Sequence, residues 1–250
     1  MATTAATLDD FPLIGATPGG GRSKILTMDG WLSAATDRSR GKRSGGHGGW
    51  SARGRRAQKS IVAVGMVTYP TAEQAAAERR AMLALGGYGA TQLVVTDSLG
   101  AIGQTVEVDD IDIPPVTDTM LRFTFELVAV DPFARATTAT TVAVAAGATV
   151  THTAGGTVPA EIEVTCTSTG TVDLTIGGLR LRTGSLNVGA KLTSGPGFTN
   201  PRRTIISLTG ANLFRLIVQP MQWPAISPGG NSIHQAGTAN LSIRYFPTYP

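Results

Sequence analysis

The chain has 250 residues, of which 15% are charged and 6% aromatic, and Gly, Ala and Thr are abundant; one large or two modest domains are expected, with a core of small and β-branched side chains. A single cysteine, Cys166, excludes an intrachain disulfide and a cysteine metal cage, and no apolar run is long enough for a membrane-spanning helix. The net charge of +4 is unevenly spread: ten basic residues from Arg22 to Lys59 stand against Asp29 and Asp37, giving that stretch +8 and the rest of the chain −4.

The first ten residues lack a basic region followed by an apolar one, so no signal peptide is expected and synthesis and folding in a cytoplasm are. Residues 1–24 read as a flexible start broken by Gly19-Gly20-Gly21, with Leu8 and 11–14 docking as a short strand. An apolar cluster follows at 25–32, with Trp31 in it. Residues 38–56 are basic and glycine-rich and read as a loop, because they hold too little apolar surface to bury themselves.

Residues 60–68 form a nearly continuous apolar run, read as a strand covered on both faces. A helix over 71–85 follows. Thr71 is its N-cap, Gln74 completes a capping box, and Gly86-Gly87 ends it. Its expected inner stripe is Ala75, Ala76, Met82 and Leu83, with Glu73, Glu78 and Arg80 outside. A short strand covers 92–96, with a turn at 97–100. In 105–114 the apolar parity switches at Asp109-Asp110, which predicts a bulge or a break. Leu121, Phe123, Phe125, Leu127 and Ala129 alternate with polar neighbours as one half-buried strand that ends at Asp131-Pro132-Phe133.

A composition shift near residue 134 divides the chain into 1–134 and 135–250. The Ala/Thr tract after it predicts a thin hairpin over 141–144 and around Val150, turning at Gly147. Further strands are expected at 161–167, 171–176, 179–183 and 204–208. A closing pair, 213–220 with 241–245, flanks a corner containing Trp223, Pro224, Pro228, Gly229 and Asn231, and a tight reversal is placed at Gly229-Gly230-Asn231. The fold class is mainly β: two β-sandwich domains, the first with one amphipathic α-helix.

Catalytic constellations are missing. His47, His152 and His234 stand in three separate loops without metal-type spacing. Glu107, Asp109, Asp110 and Asp112 read as outward strand residues around a bulge, since no calcium-loop spacing is present. Gly19-Gly20-Gly21-Arg22-Ser23-Lys24 lacks the Gly-Lys-Ser/Thr order of a phosphate loop. Cys166, in Ile162-x-Val164-x-Cys166, reads as a buried apolar residue. No cofactor is implied. The basic stretch is the one charge feature that points to a partner: Arg38, Arg40, Lys42, Arg43, His47, Arg53, Arg55 and Arg56 are assigned to a subunit or partner contact.

Several spaced motifs then resemble one family. Gly30-Trp31, Arg40 or Arg43, His47-Gly48, Arg55-Arg56 and a strand ending near Gly65 resemble the opening of distal tail proteins of long-tailed bacteriophages. The capped helix and the 123–133 strand with its Asp-Pro ending resemble the rest of that family's first domain. Thr157-Val158-Pro159-x-Glu161-Ile162, Trp223-Pro224-x-Ile226-x-Pro228-Gly229-x-Asn231 and the segment from Gly237 to Pro247 resemble its galectin-like second domain. The resemblance implies a structural virion protein of the tail tip. Its first domain would form a ring, expected to be hexameric, that continues the tail tube and lets DNA pass. Its partners would be copies of itself, the tail tube protein and a tail tip hub protein, with no membrane and no catalysis. Two other readings come from different classes: a carbohydrate-binding sandwich with Trp223 or Trp50 stacking on a sugar, and a nucleic-acid-binding protein acting through its basic loop.

Overall fold

The computed structural model describes residues 3–31, 36–37, 40–42, 49–51, 55–56, 58–87, 89–98, 100–129, 131, 133–193, 204–218 and 222–249. The chain divides into two compact units, Met1–Ala134 and Arg135–Tyr249.

The first unit begins with β1 (Ala5–Leu8), β2 (Phe11–Pro12), β3 (Gly15–Ala16) and β4 (Arg22–Asp29). Four short strands follow, β5 (Thr36–Asp37), β6 (Arg40–Lys42), β7 (Gly49–Ser51) and β8 (Arg55–Arg56). Then come β9 (Lys59–Thr68), helix α1 (Ala72–Ala84) with a 3-10 turn at Leu85–Gly87, β10 (Ala90–Asp97), β11 (Gly100–Asp112), β12 (Pro115–Thr117) and β13 (Met120–Ala129). The main sheet runs β2-β1-β10-β11-β13-β9-β4-β3. Its two end strands, β2 and β3, are separated in the chain by Leu13 and Ile14 alone, so the sheet is rolled until its ends meet. Leu13 makes the join: its N–H donates to Ala6 O at 2.8 Å on one side, and its carbonyl accepts the Ser23 hydroxyl at 2.8 Å on the other. The start of the chain is therefore structural and not a flexible lead. Leu8 and Leu13 are fully buried, and Leu8 pairs with Leu93 of β10.

The expected alternation in β13 is present, with Leu121, Phe123, Phe125, Leu127 and Ala129 all buried. β9 pairs with β13 on one side and β4 on the other, but only one of its faces is fully buried; the other is half-covered, which corrects the expectation of burial on both faces. The register of β11 against β13 slips between Val108 and Asp110, at the expected bulge, and Glu107, Asp109, Asp110 and Asp112 are exposed there.

In α1, the Thr71 hydroxyl accepts the Gln74 N–H at 3.2 Å, as a cap should. The buried stripe differs from the expected one: it is Ala75, Glu78 and Met82, while Ala76 and Leu83 are exposed. Glu78 turns inward because its carboxylate occupies the space that a Cβ at Gly19 would need. Where the sequence predicts a loop, the described residues of the basic stretch lie on four short strands. β5 pairs with β8, β6 with β7, and the two pairs are nested between β4 and β9 as a ribbon.

Strand β14 (Ala134–Ala136) straddles the division in the chain, and the second unit contains β15 (Thr140–Val144), β16 (Thr149–Ala154), β17 (Ile162–Cys166), β18 (Gly170–Ile176), β19 (Leu179–Leu186), β20 (Lys191–Thr193), β21 (Thr204–Ile206), β22 (Gly229–Gln235), β23 (Leu241–Tyr245) and β24 (Thr248–Tyr249). Two sheets share its core, one ordered β15-β23-β17-β20-β21 and the other β16-β22-β18-β19. Val, Leu, Ile and Ala side chains fill the space between them, and Cys166 is fully buried there. Among the described residues, a mainly β architecture with one α-helix agrees with the sequence reading.

Two strand assignments are corrected. The turn at Gly147 exists, with φ +71°, but β15 and β16 do not form a hairpin. They enter opposite sheets, so the connection is an arch. The expected closing pair is also absent. Phe214–Leu216 is a 3-10 turn, begun by Asn212 Oδ1 accepting the Phe214 N–H at 2.8 Å. Past it, Val218 bonds to Arg182 of β19, whereas β23 lies in the other sheet between β15 and β17. The strand the sequence reading took for a tight reversal is β22. Its inward positions are Asn231, Ile233 and Gln235, and two of these three are polar, which hid the alternation.

Candidate functional site

The basic ribbon is known by its backbone. Arg40 and Lys42 lie on β6, opposite Ser51 and Gly49, while Arg55 and Arg56 lie on β8, opposite Asp37 and Thr36. Arg38, Arg43, His47 and Arg53 fall outside the described residues. The ribbon is rooted in a polar neck that the sequence reading missed. Lys59, one of the ten basic residues counted from Arg22 to Lys59, is buried at 3% exposure. Its ammonium sits 5.5 Å from the Trp31 ring centroid and donates to Gln104 Oε1 at 3.4 Å; Gln104 in turn donates to Asp131 O at 2.6 Å. Trp31 lies two residues past the end of β4 and Lys59 begins β9, so this contact ties the two roots of the ribbon together. Asp131 also caps the Phe133 N–H through Oδ1 at 3.0 Å, which gives the Asp-Pro-Phe ending a structural role. A buried lysine beside a tryptophan leaves no signal in composition or periodicity.

Beside the ribbon, β4 has a partner on its outer edge only at Arg22 and Ser23, where β3 pairs with it. From 24 to 29 that edge has no strand partner among the described residues. The β4 register slips between Ile25 and Thr27, and Leu26 at this bulge is 51% exposed.

Of the corner residues, Trp223, Pro224 and Asn231 face the second unit's interior, while Pro228 and Gly229 are exposed. Trp223 is half-buried against the second core and Pro224 is buried, which leaves Trp223 poorly placed to stack on a sugar. Asn231 is buried and ties 227–231 into a turn. Its Oδ1 accepts the Ser227 N–H at 3.0 Å, and its Nδ2 donates to Ser227 O at 2.7 Å and Gly229 O at 2.9 Å. Gly229 adopts φ +83°, the left-handed region that glycine tolerates, while Pro228 is exposed.

His152 and His234 are strand residues and not loop residues. His152 Nε2 lies 2.7 Å from the Tyr245 hydroxyl, and His234 Nδ1 lies 2.8 Å from Thr149 Oγ1. Burial pushes the Cys166 thiol up to about 11. Among the described residues no group of three or more His, Cys, Asp or Glu side chains is placed to hold a metal ion, and no helix is long and apolar enough to cross a membrane.

No known family profile matches the sequence, and no curated protein matches it. Among solved structures, the fold matches the Dit protein of phage SPP1, described as a paradigm of hub adsorption apparatus in phages infecting Gram-positive hosts. The match covers 100% of both chains at TM-score 0.73 and 11% identity. A chain of the phage P2 baseplate in its activated conformation matches 92% of this chain and 90% of its own length, at TM-score 0.51 and 8% identity. The resemblance to distal tail proteins, first visible in scattered motifs, is thus matched by a resemblance of the whole fold.

Proposed function

We propose that this chain is a structural virion protein, a distal tail hub that joins the tail tube to the tail tip or baseplate. One observation carries the reading: both units align end to end with a phage hub protein, with nothing left over on either chain. The fold class does not by itself dictate a role. The surfaces add support, since a chain whose described residues offer no convergent catalytic set acts through contacts. In this reading the first unit, 1–134, builds a ring, expected to be hexameric, through which DNA passes. The second unit, 135–250, is the galectin-like domain. The open β4 edge and the basic ribbon meet the neighbouring subunit, because an unpaired edge is a template for another chain. Arg38, Arg40, Lys42, Arg43, His47, Arg53, Arg55 and Arg56 belong to that contact and not to the lumen. A strongly positive lumen would hold DNA by its phosphates, whereas a conduit must let it go.

Light scattering on the purified chain, with negative-stain images of the same sample mixed with tail tube protein, tests this. Rings with a central hole are expected, and Arg55→Glu with Arg56→Glu should abolish them while leaving the fold intact. A chain that stays monomeric both alone and with tube protein, and is absent from purified tails, would overturn the proposal.

A further inference from the structure

The outer face of the sheet β16-β22-β18-β19 carries a straight polar row. Register sets Thr149, His234, Thr175 and Arg180 side by side across the four strands. At roughly 4.8 Å between strands, the row is about 14 Å long. Asp173, one position along β18 on the same face, organises the cations. Arg180 donates to both its oxygens, from Nε to Oδ1 at 2.7 Å and from Nη2 to Oδ2 at 2.7 Å, while Arg182 Nε stands 3.6 Å from Oδ2. The Arg180 hydrogen bonds hold the Asp173 carboxyl below the usual carboxylate range. One carboxylate therefore serves two guanidinium groups, whose side chains are 54% and 46% exposed. The Thr149 hydroxyl engages Nδ1 of His234, leaving Nε2 as the imidazole's second polar atom.

The other sheet's outer face is different. There Glu163 is only 5% exposed, beneath Lys191 at 3.5 Å and Arg244 at 4.0 Å, and Arg244 also lies 5.1 Å from the Phe246 ring centroid. That cluster has the same charge balance, two cations on one carboxylate, but its carboxylate is buried and one of its cations lies against an aromatic ring. The row around Asp173 sets its net positive charge beside hydroxyl and imidazole groups.

We propose that this face binds an anionic saccharide: Arg182 and Arg180 take its phosphate or carboxylate, and Thr149, Thr175 and His234 take its hydroxyls. Guanidinium forks match an oxyanion's geometry, and a pinned guanidinium loses little freedom on binding. With no aromatic side chain in the row, stacking cannot supply affinity, so a neutral sugar binds far more weakly than a charged one. The site lies within the second unit and does not depend on ring assembly.

Two-dimensional NMR of the full chain, titrated separately with glucose 6-phosphate, glucuronate, glucose and inorganic phosphate, tests the site. Glucose 6-phosphate or glucuronate should bind at least about tenfold more tightly than glucose or phosphate, with shifts centred on β18, β19 and β22; whichever binds names the acid group. Arg182→Ala should weaken that binding about tenfold or more, and Arg244→Ala should leave it unchanged. Equal binding of phosphate and sugar phosphate, shifts elsewhere, no binding, or indifference to Arg182→Ala would each overturn the proposal.

Discussion

The two units solve the same problem, burying one face of antiparallel strands, by different means. The first rolls a single sheet until its ends meet at Leu13, and packs Phe11, Trp31, Tyr69, Phe123 and Phe125 inside it. The second stacks two separate sheets over Val, Leu, Ile and Ala, with Tyr245 as its one fully buried aromatic among the described residues. Rolling demands local departures from regular strand geometry. The bulges in β4 and β11 bend their strands, and Gly65, inside β9, leaves room where the Phe123 ring lies against the backbone. Stacking demands correct inward alternation instead, and it accepts polar side chains inside if each is bonded. Gln235 is fully buried yet donates to Thr171 O at 3.2 Å and Ala239 O at 2.9 Å, and accepts the Asp173 N–H at 2.9 Å.

The hardest blow to this contrast would come at Gly65. A Cβ there would run into the Phe123 ring and stand 2.6 Å from Lys24 O, a backbone atom that cannot swing away. Gly65→Ala should cost about 3 kcal/mol. Hydrogen exchange should show lost protection in β4, β9 and β13 and not in β22 or β23, and Phe123→Leu in the same chain should restore part of it. A Gly65→Ala protein within about 0.5 kcal/mol of wild type would mean that the rolled sheet is not locked at this point. In the second unit the matching change is Asn231→Ala, which removes three hydrogen bonds of a buried side chain. The expected loss is about 2 kcal/mol in chemical denaturation. Ser232→Ala, next to it on the outer face, should stay within about 0.5 kcal/mol.

The same contrast decides what could be read from the sequence. In the first unit, alternation in β13, the parity switch at Asp109-Asp110 and the Thr71 cap were legible because each is a local pattern of side-chain types. The inward Glu78 and Lys59 were not: each is buried by a partner distant in the chain, Gly19 for one, Trp31 and Gln104 for the other. In the second unit, β22 was missed because Asn231 and Gln235 hold inward positions, and the 213–220 segment was over-read because Leu216 and Ile217 pack on the core from a turn. The outer row around Asp173 was not legible, since Thr149, Asp173, Arg180 and His234 come from four strands.

A smaller effect is expected at the helix. The Thr71 hydroxyl is one of the few partners an N-terminal N–H of α1 has, and the site is exposed. Thr71→Ala should cost about 1 kcal/mol in thermal denaturation, and Thr71→Ser should recover most of it.

The last test leaves neutral pH untouched and reads the rolled unit alone. The Tyr69 hydroxyl and Glu78 Oε2 are both buried without a hydrogen-bond partner among the described residues. Burial, and then the nearby Glu78 carboxylate, push the Tyr69 phenol from 10.0 up to about 12, against a smaller downward pull from the Thr17 side chain. A raised folded-state value means that folding favours the protonated phenol, so its contribution is fully present below pH 10 and is lost as the pH rises towards 12. The Cys166 thiol of the second unit works with the same sign in a lower window, from 9.0 to about 11. Alkaline melts followed by hydrogen exchange should therefore destabilise the stacked unit first and the rolled unit at higher pH. Tyr69→Phe should flatten only the later loss, and Cys166→Ala only the earlier one. At neutral pH, Tyr69→Phe should change the melting temperature little, because the buried hydroxyl stands near Thr17 without a hydrogen bond of good geometry. A clear fall in melting temperature there would mean that the hydroxyl is bonded to Thr17 in solution, and that the turn over 17–21, which lies against the Tyr69 ring, is held by that bond and not by the ring's packing.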